Sequence, residues 1–240
     1  MTKIIADAAC NHLGNRKIMQ EMIERVAKIG VDYIKFQSFH ADKLNPDWPD
    51  YEKSKEYYKS VELSQDDHAF IIRTCRDNKI NPLFTVFDVE SAQTIRNLGV
   101  NIVKIASPDA DNKELVDYCN CTFNEVIVSS GMTTSQRIRE LRDMNCWVLY
   151  CISRYPATKE SIDFDKMALF DGFSDHTPDI ECAKKAIDMG MEYVERHYTL
   201  GKYLPGKDHL FSSTPDEFNE LVDYRNYVEK CKLYKTRWSG

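Results

Sequence analysis

Short apolar runs alternate with longer amphipathic segments along nearly the whole chain. This alternation is typical of buried parallel strands that are joined by crossover helices. Eight runs predict strands, at residues 3–9, 31–37, 82–87, 101–107, 125–130, 146–153, 170–175 and 192–197. Segments with apolar residues at helical spacing lie between them, including residues 18–30, 92–99, 180–190 and 218–230.

Eight strand and helix units in a chain of 240 residues predict a (β/α)₈ TIM barrel. An open doubly wound sheet is the poorer match, since such sheets usually have about five or six strands. No Gly/Ser linker divides the sequence, so we expect residues 1–240 to form a single domain. The stretch at about 38–63, rich in Asp, Lys, Pro and Tyr, is too long for an ordinary connection and predicts a lid or insertion.

Composition, charge and cysteine spacing argue against several classes of protein. Hydrophobic residues make up 42% and charged residues 29%, which is ordinary for a globular protein. The net charge of -6, with both signs mixed throughout, predicts no nucleic-acid partner. No run approaches the ~18 to 20 apolar residues of a membrane span, and the first residues are too polar for a secretory signal, so we expect a cytoplasmic protein. The eight cysteines form no CxxC pair, so no disulfide framework or zinc knuckle is expected.

Polar residues collect where the predicted strands end, which is where TIM barrels carry their chemistry. They are Asp7, Asn11 and His12; Lys35 and Gln37; Thr85 and Asp88; Lys104, Ser107 and Asp109; Ser129 and Ser130; Ser153; Ser174, Asp175 and His176; and His197. Because side chains alternate along a strand, Lys35 and Gln37 share one face, as do Glu195 and His197.

Two lysines stand on otherwise apolar strands, Lys35 in YIKF and Lys104 in IVKIA. Burying an isolated ammonium group costs several kcal/mol, so each needs an anionic partner or a wet site. Two such lysines predict a doubly charged ligand such as phosphate, with the hydroxyl groups and backbone amides of residues 129–132 as neutral donors. The alternative is a pair of structural lysines in salt bridges.

His176 and His197 close the seventh and eighth predicted strands, 21 residues apart. In a closed barrel these positions are neighbours at the same height. Two neutral imidazoles suit a borderline divalent ion such as Mn²⁺, with water and substrate oxygens as further ligands. The alternative is a pair of structural histidines.

The same residues stand in strings that resemble the N-acetylneuraminate (sialic acid) synthase family over roughly residues 3–228. In order these are NHLG (11–14), YIKFQ (33–37), KIASPDADN (104–112), VSSGM (128–132), SRYPA (153–157), GFSDHT (172–177), ERHYTL (195–200) and PGKDH (205–209). Enzymes of this family condense phosphoenolpyruvate with an N-acylated aldose such as N-acetylmannosamine. They release phosphate, form a 2-keto sugar acid and use Mn²⁺ or Mg²⁺.

The resemblance implies roles for particular residues. Those implied to bind phosphoenolpyruvate are Lys35, Thr85, Lys104, Ser107, Ser129, Ser153 and Ser174. It implies metal binding by His176 and His197, and carboxylate roles for Asp7, Asp109 and Asp208. Asn11, His12, Gln37 and Asn112 also stand in the matching strings and are expected to bind substrate. We hypothesise that Asp7 or Asp109 supplies the catalytic base.

Two features depart from the family pattern. Asp7 and Asp109 stand where the family typically has glutamates, so each carboxylate is one methylene shorter. The usual members also carry a C-terminal domain that supplies an arginine to the acyl sugar of a partner subunit, and this sequence ends at Gly240. We therefore expect the acceptor pocket to be open, completed by another chain such as a homodimer partner or a separate capping chain, or shaped for a different sugar. Arg237 and the 38–63 insertion are possible substitutes.

Two other functions compete with the synthase. A Schiff-base aldolase using Lys104 or Lys35 would be trapped by borohydride and would ignore chelators. A catalytically silent barrel that binds a phosphosugar or regulates a partner would release no phosphate from phosphoenolpyruvate.

Overall fold

The computed structural model describes residues 1–45 and 51–238, with side chains described as far as Tyr234. Eight parallel strands in this part of the chain pair in sequence order and close into a barrel, with the first strand paired to the last. The strands are β1 (Lys3–Ala9), β2 (Tyr33–Ser38), β3 (Asn81–Val86), β4 (Ile102–Ile105), β5 (Glu125–Ser129), β6 (Trp147–Cys151), β7 (Gly172–Asp175) and β8 (Tyr193–His197). The predicted (β/α)₈ barrel is confirmed.

Helices connect the strands around the outside. They are α1 (Arg16–Ile29), α2 (Tyr51–Val61), α3 (Gln65–Asp77), α4 (Val89–Asn97), α5 (Lys113–Thr122), α6 (Ser135–Asp143), α7 (Phe164–Met167), α8 (Glu181–Asp188) and α9 (Pro215–Trp238). The four predicted helical segments correspond to α1, α4, α8 and α9, although their ends differ. In the described residues no helix is both long and apolar enough to cross a bilayer.

Local signals set the helix ends, as α1 illustrates. The side chain of Asn15 accepts a hydrogen bond from the Lys17 amide, which satisfies one free N–H of the first turn. Gly30 ends the helix with φ of 90°, a left-handed conformation that glycine adopts without a steric penalty. Between these caps, Met19, Ile23 and their neighbours form the face that is buried against the barrel.

Two apolar layers hold the barrel together. The main core lies between the outward faces of the strands and the surrounding helices. A smaller cluster fills the barrel interior, with Ile5, Leu83, Ile127, Leu149 and Tyr193 buried together. Since side chains two residues further along a strand point the same way, the next inward positions lie closer to the C-terminal mouth. On β1 and β8 these next inward positions are charged, since they are occupied by Asp7 and Glu195.

The 38–63 stretch contains a 3-10 turn at Ala41–Lys43 and helix α2. It builds its own small apolar cluster, formed by Cys10, Phe39, Ala41, Leu44, Tyr51 and Val61. The end of α2 lies against the turn after β1, where a Cβ at Gly14 would clash with the Ser60 carbonyl oxygen. Residues 46–50 of this stretch, and the side chain of Arg237, lie outside the described residues.

Candidate active site

A cavity of about 470 Å³ opens at the C-terminal end of the barrel. Twelve of the sequence-predicted site residues line it: Asp7, Lys35, Gln37, Thr85, Lys104, Ser107, Ser129, Ser153, Ser174, His176, His197 and Asp208. They come from every strand or from the loop that follows it. The barrel therefore gathers into one place the residues that the sequence carries at eight separate strand ends.

A buried ion cluster forms the floor of this cavity. Glu195 accepts hydrogen bonds from Lys104 Nζ at 2.9 Å to both carboxylate oxygens, and from Ser174 Oγ at 2.8 Å. Lys35 Nζ lies 3.2 Å from Glu195 Oε1 and 3.0 Å from Asp7 Oδ2. The lysines are thus salt-bridged, as the structural alternative expected, and they also line the cavity, as the phosphate hypothesis expected.

The buried ion cluster shifts the pKa values of its own members. Burial opposes the charged form of Lys35, but Asp7 and Glu195 outweigh it and raise the pKa of this lysine. Burial lowers the pKa of Lys104, which shares its hydrogen-bonded carboxylate with Lys35. Although burial opposes ionisation of Glu195, Lys104 and Lys35 hold its pKa well below the usual range. Glu195 is therefore a fixed negative charge between two ammonium groups.

Asp7 is positioned by an irregularity at the end of β1. The pairing register with β2 shifts between Asp7 and Ala9, and Ala9 has a positive φ of 43°. The Ala9 amide donates to Asp7 Oδ1 at 2.9 Å, which leaves Oδ2 to face Lys35. Strand bulges commonly re-aim side chains beside active sites in this way.

Hydroxyl groups surround the lysines on the side of β3 to β6. Ser153 Oγ donates to Ser107 Oγ at 3.1 Å. Thr85 Oγ1 is buried without a hydrogen-bond partner in the described residues. The loop after β5 approaches β6 so closely that a Cβ at Gly131 would clash with Ser153 Oγ. Of the two serines before Gly131, Ser129 lines the cavity, whereas Ser130 Oγ donates to the Leu149 carbonyl oxygen.

The two histidines lie together, as their positions on adjacent strands predicted. Their ring centroids are 5.5 Å apart, and Tyr155 packs against both, at 4.2 Å from His176 and 5.4 Å from His197. His176 Nδ1 donates to the Ile152 carbonyl oxygen at 2.8 Å, so its Nε2 carries a lone pair. Burial, with a smaller contribution from His197, lowers the pKa of His176 to about 3, and the ring is neutral at physiological pH.

The donor atoms around this pair fit a divalent cation. His197 Nδ1 is buried and without a hydrogen-bond partner in the described residues, and lies 3.9 Å from Asp208 Oδ2. His197 Nε2 lies 3.8 Å from Asp7 Oδ2. In the described residues no group of three or more His, Cys, Asp or Glu side chains is already arranged as a metal site. Two imidazoles would thus need water or substrate oxygens to complete the coordination.

Four predicted site residues do not line the cavity. Asn11 Nδ2 donates to the Tyr198 carbonyl oxygen and to Ser212 Oγ, and it ties the loop after β1 to the loop after β8. His12 Nδ1 accepts from the Gly14 amide, and its ring packs on Phe36. Asn112 accepts from the Leu115 amide and caps α5. These three side chains make structural contacts and are not among the residues that line the cavity, so their expected role in substrate binding stays a prediction.

Asp109 is the fourth of these residues. Its neighbours Ser107 and Pro108 line the cavity, while Asp109 Oδ2 is buried without a hydrogen-bond partner in the described part of the chain. Burial, aided by the charge of Asp88, raises the pKa of Asp109 to about 7. Its carboxyl group is therefore partly protonated at neutral pH.

Sequence reasoning missed several lining residues, chiefly Glu195, Tyr155, Tyr57, Tyr58 and Lys207. The sequence position of Glu195 could have identified it as a site residue, because a glutamate on an apolar strand needs a cationic partner as much as a lysine needs an anionic one. Tyr155 and Lys207 stand in strings already singled out for their family resemblance, SRYPA and PGKDH. Tyr57 and Tyr58 had no signal of their own, because their place on the cavity depends on how the 38–63 stretch folds back.

Comparisons with known proteins find relatives over nearly the whole chain. A family model described as the NeuB family matches residues 22–235. The N,N'-diacetyllegionaminic acid synthase of Legionella pneumophila is 32% identical over 91% of this chain and 70% of its own length. The N-acetylneuraminate-9-phosphate synthase of Drosophila melanogaster is 26% identical over 91% of this chain and 66% of its own. A solved N-acetylneuraminic acid synthetase from Leptospira borgpetersenii superposes with a TM-score of 0.90 at 26% identity, covering 96% of this chain and 84% of that one.

Proposed function

The chain belongs to the NeuB family, and from that premise we propose that it condenses phosphoenolpyruvate with an N-acylated aldose to give a sialic-acid-like 2-keto sugar acid and phosphate. One observation carries the proposal. Two buried lysines, a set of hydroxyl groups and two imidazoles face the same cavity. This combination offers cations and neutral donors for an enol phosphate next to ligands for a Lewis acid.

The donor occupies the deep half of the cavity. Lys35 and Lys104 supply positive charge to the phosphate and carboxylate groups of phosphoenolpyruvate, and Thr85, Ser107 and Ser153 supply hydrogen bonds. Glu195 keeps the two lysines separated and charged before the substrate arrives. Such preorganisation reduces the free energy needed to arrange the site during the reaction.

The reaction forms one carbon–carbon bond. The methylene carbon of phosphoenolpyruvate attacks the aldehyde carbon of the sugar, water adds to C2, and the C–O bond to phosphate breaks, which leaves the 2-keto acid. Asp7 and Asp208 are the cavity-lining members of the three proposed carboxylates. We infer that one of these two accepts the proton of the attacking water, and that Asp109 acts from outside the cavity, on the shape of the 107–109 turn.

His176 and His197 would hold the divalent ion, Mn²⁺ or Mg²⁺. When bound, the ion would supply Lewis acidity to the carbonyl oxygen of the acceptor. The hydrogen bond from His176 Nδ1 to the Ile152 carbonyl oxygen fixes the ring in the tautomer that presents Nε2 to the cavity. A homodimer or a separate capping chain remains a proposal for how the outer part of the cavity is completed.

Phosphate release tests the proposal directly. Purified protein is mixed with phosphoenolpyruvate, Mn²⁺ or Mg²⁺ and a panel of aldoses, with and without a chelator. We expect phosphate to appear only with a suitable aldose and to stop when the chelator is added. Borohydride added with substrate should leave the mass of the protein unchanged, whereas a trapped adduct on Lys35 or Lys104 would favour the Schiff-base aldolase. Failure of every acceptor to release phosphate would favour the silent barrel.

A further inference from the structure

The two halves of the cavity differ in chemistry. The deep half carries the buried charges of Lys35, Lys104 and Glu195, each at most 4% exposed. The outer half is walled by large apolar and aromatic side chains, namely Tyr57, Tyr58, Phe87, Met132 and Tyr155. A substrate that projects outward from the deep half therefore passes from a charged environment into an aromatic one.

Helix α2 forms one side of the outer half. A run of aromatic contacts holds it, with centroid distances of 5.9 Å for Tyr57 and Tyr58, 6.1 Å for Tyr58 and Phe39, and 5.9 Å for Phe39 and Phe87. Tyr51 Oη donates to the Ala41 carbonyl oxygen at 2.9 Å, which fixes the start of the helix. We call Tyr57 and Tyr58 the α2 wall.

The α2 wall and the histidine pair border the same cavity from different strands. Tyr58 packs on Phe39 and Phe39 on Phe87, residues that follow β2 and β3, whereas the two histidines stand at the ends of β7 and β8. With the aldehyde carbon of the acceptor beside the histidines, the far end of the acceptor has the α2 wall as one of its neighbours.

Positive charge is scarce in the outer half. Among the described lining residues, Lys207 is the lysine that lies outside the deep cluster. Its ammonium group bonds to Ser54 Oγ and lies 6.0 Å from the centre of the Tyr58 ring. The neighbouring Asp208 adds a carboxylate at this position. A phosphate group on the acceptor would meet one lysine that already has partners, next to a carboxylate and aromatic rings.

We propose that the α2 wall determines acceptor specificity, and that it favours an aldose whose far end carries an apolar group over one whose far end carries a phosphate. The inference rests on the proposed function, since it concerns the second substrate of the same cavity. A methyl group buried between aromatic rings gains the free energy of burial, whereas a phosphate there loses water without gaining enough cationic partners.

Three acceptors that differ only at the far end provide the test: N-acetylmannosamine, its 6-deoxy analogue and its 6-phosphate. We expect kcat/KM for phosphate release to be about tenfold higher for the 6-deoxy sugar than for the parent, because one group in an apolar pocket discriminates by about 10- to 200-fold. The 6-phosphate should be the poorest of the three.

Variants assign the preference to the α2 wall. Tyr58→Ser, with Tyr57→Ser as a second variant, should remove most of the preference for the 6-deoxy sugar while the KM for phosphoenolpyruvate stays within about twofold. Tyr227→Ser is the matched control, because Tyr227 lies exposed on α9 and away from the cavity. The ratio between acceptors is measured on one enzyme preparation, so partial loss of folded protein cancels.

The outcomes separate the two proposals. A preference for the 6-phosphate that Lys207→Met abolishes, or an acceptor ratio that both tyrosine variants leave unchanged, would overturn the role of the α2 wall and leave the synthase activity standing. If none of the three sugars, nor the wider aldose panel, releases phosphate with the unaltered protein, the proposed function fails and this inference fails with it.

Discussion

Replacing Glu195 with glutamine removes the negative charge between two buried ammonium groups and keeps the shape of the side chain. Lys104 Nζ lies 2.9 Å from both oxygens of this carboxylate, and Lys35 Nζ lies 3.2 Å from one of them. The three side chains are 2–5% exposed, so water can solvate the two ammonium groups only slightly once the carboxylate is removed. Among the described residues, the variant leaves Lys104 without a salt-bridge partner and Lys35 with Asp7 as its remaining one.

The size of the effect follows from this burial. At an effective dielectric constant of ~20, a unit charge pair ~3 Å apart interacts by roughly 5 kcal/mol, much of which the desolvation of both partners offsets. Breaking a buried pair by removing one partner typically costs about 3–5 kcal/mol of the free energy of unfolding. For a protein of this size that corresponds to a decrease in Tm of about 6–20 °C.

The pH dependence gives a second, independent signature. The pKa of Lys104 is already lowered in the folded protein, so the unfolded chain holds the proton of this lysine more tightly. Lys104 therefore destabilises the folded state while it is protonated, and this cost decreases as the pH rises and the ammonium group loses its proton. Removing the carboxylate lowers that pKa further. The loss in free energy of unfolding caused by Glu195→Gln should therefore be larger at pH 7 than at pH 9.5, where the Lys104 ammonium group more readily loses its proton.

Denaturant unfolding of wild type and variant at both pH values, with and without phosphoenolpyruvate, measures these effects. Phosphoenolpyruvate supplies replacement negative charge, so it should stabilise the variant by more than it stabilises the wild type. Glu192→Gln is the matched control, since Glu192 pairs with Lys3 at 3.3 Å on the surface and should change stability by less than about 1 kcal/mol. A Glu195→Gln protein as stable as this control, at either pH, would refute the reasoning.

Three further changes test other parts of the site. His197→Ala should abolish metal-dependent phosphate release, measured as turnover across a Mn²⁺ titration, and turnover that stays unchanged would reject a metal role for the histidine pair. Asp109→Asn should stabilise the protein more at pH 8 than at pH 4.5, by about 3 kcal/mol in denaturant unfolding. The reason is that the folded carboxyl pKa is raised to about 7, so the ionisable side chain costs stability as pH rises from the unfolded value of about 4 through 7. A gain independent of pH would contradict that assignment. Gly131→Ala should raise the KM for phosphoenolpyruvate by tenfold or more, since the added Cβ clashes with Ser153 Oγ; an unchanged KM would mean that this loop does not shape the donor site.

The sequence by itself determined the barrel and the positions of its chemistry along each strand. Apolar runs of strand length separated by helical segments are local patterns, and each can be recognised without knowing what lies beside it. The same local reasoning placed Lys35, His176 and His197 at strand ends, because the period of two along a strand assigns each side chain to a face. The closed order of the eight strands then made the two histidines neighbours.

The tertiary structure alone decided which side chains meet across the barrel. Glu195 bonds to Lys104, 91 residues away and on a strand that is not its neighbour, so no periodicity relates the two. Three residues of types common in binding sites form hydrogen bonds within loops or at a helix N-terminus instead, namely Asn11, His12 and Asn112. The α2 wall reaches the cavity because a separate apolar cluster holds that helix over the mouth. Local pattern sets which face a residue is on, whereas contacts between distant segments exist only once the chain has closed on itself.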